Sequence, residues 1–264
     1  MDLYFCSLSS GSSGNCYYIG NELHGILIDA GIPARSIRKY LTELNISVHT
    51  IMGVFVSHNH GDHIRGLEVF TRKNNIPAFT TENIWNSMLN APVRLKISQD
   101  CKRIIPLQRR FHLAGFDIEA FPVSHDAPET IGFHICAGDK KITIATDLGH
   151  ICLISAPYIK AANLLVIESN YDEAMLLGGS YPGYLKARIK SDRGHLGNHQ
   201  TAAFLSGAIH EKMSHICLAH LSKNNNTPEK ALTSLQEAFL KSKLSNPQIV
   251  VLNRNQPTEM IRLV

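Results

Sequence analysis

The stretch Ser57-His58-Asn59-His60-Gly61-Asp62-His63 places three imidazoles and one carboxylate within six residues, directly after the apolar run Val54-Phe55-Val56. On an extended strand end, residues two apart point to the same side, which pairs His58 with His60. Gly61 then lets the chain turn, so that Asp62 and His63 converge from a helix start. Burying these groups without partners is costly, and coordination of a divalent cation removes that cost. A lone histidine after a strand reads more simply as a hydrogen-bonded core residue. Four such groups at this spacing do not. Histidine is abundant along the whole chain, 14 of 264 residues, and imidazole serves both as metal ligand and as acid–base group.

Strands and helices must carry these groups to one place. Apolar, β-branched runs of strand length occur at Tyr17–Ile19, Gly25–Asp29, Ile51–Ser57, Phe116–Pro122, Ile131–Ala137, Lys141–Thr146, Leu164–Glu168, Ser214–Ala219 and Gln248–Leu252. Helical patterns lie between some of them, at Ala34–Leu44, His63–Asn74, Pro182–Ile189, His199–Glu211 and Thr227–Leu244. The last opens on Thr227 as cap with Pro228 at the first helical position. Strands mixed with helices predict layered α/β with the sheets at the centre. No linker, repeat or low-complexity segment divides the chain, so residues 1–264 are expected to form one domain.

Composition narrows the class. An apolar fraction of 44% excludes a disordered chain. The longest apolar runs are strand-sized, whereas a membrane span needs about 20 apolar residues. The start Met1-Asp2-Leu3-Tyr4 lacks the basic and apolar regions of a secretory signal, so a soluble cytoplasmic protein without a membrane partner is expected. Six cysteines without a CxxC pair predict reduced thiols. A net charge of +4 tolerates an anionic substrate without requiring one.

The HxHxDH stretch resembles the second motif of the metallo-β-lactamase fold, and further motifs follow in the order that fold requires. Asp29 ends the strand Ile26-Leu27-Ile28, His125 lies in Pro122-Val123-Ser124-His125-Asp126, Asp147 follows Ile144-Ala145-Thr146, and His220 follows Ile216-Cys217-Leu218-Ala219. The resemblance implies a four-layer αββα sandwich with two divalent metal ions per chain. His58, His60 and His125 would hold one and Asp62, His63 and His220 the other, with Asp147 bridging. Asp29 would orient a ligand histidine from behind. The mixed imidazole and carboxylate set suits Zn, Mn or Fe alike.

Other segments resemble one branch of that fold, the YycJ/WalJ family of bacterial exonucleases. They are Ser9-Ser10-Gly11-Ser12-Ser13-Gly14-Asn15, Glu168-Ser169-Asn170-Tyr171-Asp172, Ser191-Asp192-Arg193-Gly194-His195-Leu196-Gly197-Asn198 and His220-Leu221-Ser222. Tyr171 stands where many relatives carry His, and Gly197 where Ser is usual. Only 72 residues separate Asp147 from His220, too few for the domain that large RNA-processing nucleases of the fold insert there.

The resemblance implies phosphodiester hydrolysis of nucleic acid, DNA in preference to RNA, from the 5′ end, by a hydroxide bridging the metals. Asp62 or Asp147 would accept a proton, and His195 would donate one to the leaving oxygen or hold phosphate. A capping or packing role is the alternative for His195. Ser12, Ser13 and Asn15 of the Ser/Gly loop, with Arg193, are candidate substrate contacts, although a loop of this composition is also an ordinary turn. Lys186, Arg188 and Lys190 extend the basic group around His195, and Tyr171, Tyr181 and Tyr184 are candidates for stacking on bases. The rival reading is a small-molecule metallohydrolase acting on a cyclic phosphodiester, thioester or lactone.

Overall fold

The computed structural model describes residues 2–90, 95–240 and 247–264. Two seven-stranded mixed sheets carry the architecture. The first runs in the order β14 (Ile261–Leu263), β1 (Leu3–Ser9), β2 (Cys16–Gly20), β3 (Gly25–Ile28), β4 (Ile51–Phe55), β5 (Ala78–Thr80), β6 (Lys102–Ile104). The second runs β13 (Gln248–Val251), β12 (His215–Ala219), β11 (Leu164–Glu168), β10 (Lys140–Ala145), β9 (Ile131–Ala137), β8 (Phe116–Pro122), β7 (Arg110–Leu113). In each, one half pairs antiparallel and the other parallel: β3–β6 in the first sheet, β10–β13 in the second.

Side-chain alternation explains the layers. On β11, Leu164 and Val166 face the core between the sheets, while Leu165 and Ile167 face the helices outside. A strand buried on both faces reads as a continuous apolar run, as this one does. Between the sheets, Phe55 of β4 meets Phe133 of β9 edge-on with centroids 5.9 Å apart. Helices α1 (Ala34–Glu43), α2 (Gly61–Ile64), α3 (Leu67–Asn74) and α4 (Glu82–Leu89) belong to the first half of the chain. Helices α5 (Ser155–Lys160), α6 (Glu173–Gly178), α7 (Gly183–Lys190), α8 (Asn198–Leu205) and α9 (Pro228–Phe239) belong to the second. Ile37, Leu67 and Phe70 bury the faces of α1 and α3, and Ile159, Leu205 and Leu235 those of α5, α8 and α9. This is the four-layer αββα sandwich.

Three helices depart most from the sequence pattern. The expected helix at His63–Asn74 is broken, because Gly66 packs against the backbone of Ile32 so closely that a Cβ would lie 2.1 Å from its carbonyl oxygen. Its N–H turns to Ala30 O at 2.8 Å. The helix expected to reach Glu211 stops at Leu205, just before Gly207. Helix α9 ends at Phe239, and residues 241–244 of the expected segment lie outside the described residues. The segment between Asp147 and His220 contains no inserted domain: it is β11 and helices α5–α8, returning into the second sheet at β12. Among the described residues no helix is long and apolar enough to cross a membrane.

Candidate metal centre

The carboxyl ends of the parallel strands converge on one rim, where open α/β sheets commonly bind ligands. Asp29 follows β3, His58 and His60 follow β4, Asp147 follows β10, Glu168 closes β11 and His220 follows β12. His125 joins them from the end of β8. Asp29, Asp147 and His220 each adopt the left-handed backbone region, with φ of 59°, 56° and 55°. Non-glycine residues are uncommon there, and such strain gathers at functional sites.

Backbone contacts fix the HxHxDH segment. Gly31 lies so close that a Cβ would come within 1.6 Å of Asp62 O. Asn15 N donates to that same carbonyl at 2.8 Å, and Ala30 N donates to His63 O at 2.9 Å. The close approach therefore belongs to Gly31, whereas Gly61, where α2 begins, has open space around it.

The rings are held from behind. Asp29 Oδ2 lies 2.7 Å from His63 Nδ1 and accepts from Ser57 Oγ at 2.8 Å, and Asp29 Oδ1 accepts from Ser57 N at 2.8 Å. Ser57 Oγ in turn lies 3.0 Å from His58 Nδ1. With its own proton given to Asp29, that hydroxyl accepts from His58 Nδ1, which leaves His58 Nε2 a bare lone pair. His125 Nδ1 donates to Gly194 O at 3.0 Å. Glu168 Oε1 accepts from His220 Nδ1 at 2.8 Å and from His195 Nδ1 at 2.7 Å. Its other oxygen accepts from Leu148 N at 2.9 Å.

On the front side, the ligand atoms of His58, His60 and His125 lie within 4.8 Å of one another, as do those of Asp62, His63 and His220. Asp147 stands between: its Oδ2 is 3.2 Å from His63 Nε2, and its Oδ1 is 3.4 Å from His220 Nδ1 and 3.8 Å from His125 Nε2. Two buried atoms in this space, His58 Nε2 and Asp147 Oδ2, have no hydrogen-bond partner. Buried polar atoms are rarely left so. A lone pair and a carboxylate oxygen aimed into one gap fit a divalent cation.

Electrostatics agree. Burial alone would discharge His63 and His220, but the carboxylates outweigh it. Asp147 and Asp29 hold His63 well above the usual histidine range, and Asp147, Asp62 and Glu168 push His220 up to about 10. Burial likewise opposes ionisation of Asp147, yet His220 and His63 hold its carboxyl well below the usual range. Burial, reinforced by His63, pushes His58 well below its usual value. Positive charge is thus favoured at His63 and His220, beside the carboxylates, and disfavoured at His58.

A cavity of about 310 Å³ opens onto these groups, and Ser12, Ser222, Tyr181, Leu185 and Ile189 are among the residues that line it. Of the expected substrate contacts, Ser12 and His195 line it and Ser13, Asn15 and Arg193 do not. Asn15 is buried, and its carboxamide nitrogen lies 3.0 Å from His63 Nε2. Arg193 donates to His125 O at 3.1 Å and Ala127 O at 3.3 Å, gripping the loop that carries His125. Arg188 pairs with Asp126, Lys190 with Glu173, and Lys186 donates to Leu177 O, so these basic residues already have partners. Tyr171 is buried, Tyr181 lines the cavity and Tyr184 is exposed.

Sequence reading assigned no role to Glu168, Asp126 or Arg254. For Glu168 a signal existed: it is a carboxylate closing an apolar strand, the position that marked Asp29 and Asp147.

A family model described as a β-lactamase superfamily domain matches residues 24–216. The chain belongs to the metallo-β-lactamase superfamily. It is a metal-dependent hydrolase. It is 35% identical over 239 residues to exodeoxyribonuclease YycJ of Bacillus anthracis, covering 90% of each chain. It is 34% identical over 224 residues to exodeoxyribonuclease WalJ of Streptococcus pneumoniae serotype 2, covering 85% of this chain and 83% of that one. Among solved structures, the metallo-β-lactamase fold protein YhfI of Bacillus subtilis superposes with a TM-score of 0.73 at 13% identity, covering both chains fully. A diphosphatase of the PhnP family gives 0.66 at 16% identity, covering 100% of this chain and 98% of the other. These two share the fold.

Proposed function

We propose that this superfamily member is a DNA exonuclease working from the 5′ end with two divalent cations. The identity to two exodeoxyribonucleases along most of the chain carries the reading, and the two neighbouring groups His58–His60–His125 and Asp62–His63–His220 support it. His58, His60 and His125 would hold one cation, Asp62, His63 and His220 the other, and Asp147, which stands between the clusters, would contact both. When bound, such ions supply Lewis-acid charge at phosphorus and ionise water near neutral pH.

The side chains do the rest. Asp62, partly exposed to the cavity, accepts the proton that the attacking water loses. His195 is tied through Nδ1 to Glu168, so its Nε2 edge serves the cavity. A proton there passes to the ester oxygen as the phosphorus–oxygen bond breaks. Glu168 stabilises the charged ring: burial opposes protonation of His195, but the carboxylate outweighs it and raises its pKa.

A second reading retains one observation in its favour. At about 310 Å³ the cavity sits at the small end of ligand pockets, which suits a small phosphodiester. Incubating metal-loaded protein with end-labelled duplex DNA, single-stranded DNA, RNA and a cyclic phosphodiester separates the two. Mononucleotide release from the 5′ end of DNA is expected. Hydrolysis of the cyclic diester alone would overturn the nuclease reading.

A further inference from the structure

The Ser/Gly loop closes the cavity on the side of Asp62, His63 and His220. Ser10 Oγ accepts from His220 N at 2.9 Å, Asn15 N bonds to Asp62 O, and Ser12 lines the cavity beside Ser222. Two guanidiniums flank this loop. Arg65 donates to Ser13 O at 3.1 Å. Arg254, from the turn after β13, donates through Nη1 to Ser12 Oγ at 3.2 Å and through Nη2 to Leu221 O at 2.6 Å. Gly11, at φ +146°, leaves the space this guanidinium fills, since a Cβ there would come within 2.9 Å of Nη1.

Arg254 differs from the basic residues of α7. Arg188 and Lys190 are neutralised by carboxylates. Arg254 is half-buried, and its partners are a hydroxyl and a carbonyl. Burial lowers its pKa, with no carboxylate among the described residues to offset it. An arginine carries five N–H donors, so several remain unused among the described residues. Ser12 Oγ accepts from Arg254 and keeps its own proton to donate.

We propose that Arg254 and Ser12 form a phosphate subsite beside the metal centre, on its Asp62–His63–His220 side. Its ligand is the phosphate neighbouring the one under attack, as a terminal monoester or an internal diester. This assignment rests on the nuclease reading. A guanidinium fork recognises phosphate oxygens in a way an ammonium does not.

The test compares Arg254→Gln, Arg254→Lys and Ser12→Ala with wild type, each fully metal-loaded, on DNA and on bis(p-nitrophenyl) phosphate, which carries no second phosphate. Arg254→Gln should raise KM for DNA about 10- to 100-fold, with kcat moving far less. The slope of log KM against log salt should fall by about 0.7–0.9, the value of one lost phosphate contact. The loss on DNA should exceed that on the small diester by about tenfold or more. Arg254→Lys should restore the salt slope and only part of KM, and Ser12→Ala should raise KM in the same sense. A 5′-phosphate preference that vanishes in Arg254→Gln places the terminal monoester there, and an equal loss on 5′-phosphoryl and 5′-hydroxyl DNA places an internal diester there. Unchanged KM and salt slope, or equal losses on both substrates with lowered metal content, would overturn the subsite. If wild type cleaves the small diester but not DNA, it is the nuclease reading that fails.

Discussion

Replacing Asp29 by Asn tests whether one carboxylate sets the tautomer of His63. Asn tolerates the left-handed backbone that Asp29 adopts at φ 59°, so the strand end should keep its shape. The oxygen facing Ser57 N is retained, but an NH₂ group replaces the oxygen that lies 2.7 Å from His63 Nδ1. Two donors then face each other. His63 must lose that bond or move its proton to Nε2, which faces Asp147 at 3.2 Å and is the nitrogen a cation would need. A hydrogen bond to a charged group is worth about 1.5–3 kcal/mol, roughly 10- to 150-fold in affinity. His58 is buffered, because the Ser57 hydroxyl accepts from its ring whether that hydroxyl points to Asp or receives a proton from Asn. Zinc titration against a competing chelator should therefore show one of two binding steps weakened about 10- to 100-fold and the other much less. Equal weakening of both steps, or no change in either, would refute the selective role of Asp29.

Asp147→Ala should abolish turnover and reduce metal content while circular dichroism remains that of the folded chain; turnover within a few-fold of wild type would mean that Asp147 only caps its strand. His195→Ala should lose about 10²–10⁴-fold in kcat with its full metal complement, measured by metal analysis beside the assay. Gly197→Ser should destabilise by about 1–3 kcal/mol, because a Cβ there comes within 2.8 Å of the Tyr171 ring. Adding Tyr171→His should return most of that loss in a thermal or denaturant double-mutant cycle.

The clustering of these histidines was legible because packed donors make a local demand: HxHxDH compresses four of them into one strand–helix junction, and each remaining group sits at the end of an apolar run. Strand boundaries were legible for the same reason where strands are buried on both faces, as with β11 and β12. Short edge strands such as β6 and β14, three residues each, carry no period to read. Helix α7 fully buries no side chain, and no pattern along the chain reveals that its Arg188 and Lys190 pair with Asp126 and Glu173.

The basic residues mark the harder limit. Charge near a candidate site in sequence says nothing of whether that charge is already matched. Lys186, Arg188, Lys190 and Arg193 form the densest basic group beside His195, yet each makes an internal contact, and Arg193 holds the His125 loop. Arg254 lies 34 residues past His220 in an unremarkable turn, and only the fold returns it to Ser12. The same applies to Tyr171 and Gly197. Read singly, they are two unrelated departures from the family pattern, but the Tyr171 ring fills the volume that a side chain at position 197 would need. Gly197 therefore leaves the space that the Tyr171 ring fills, so the two positions form one packing contact that no pattern along the chain reveals.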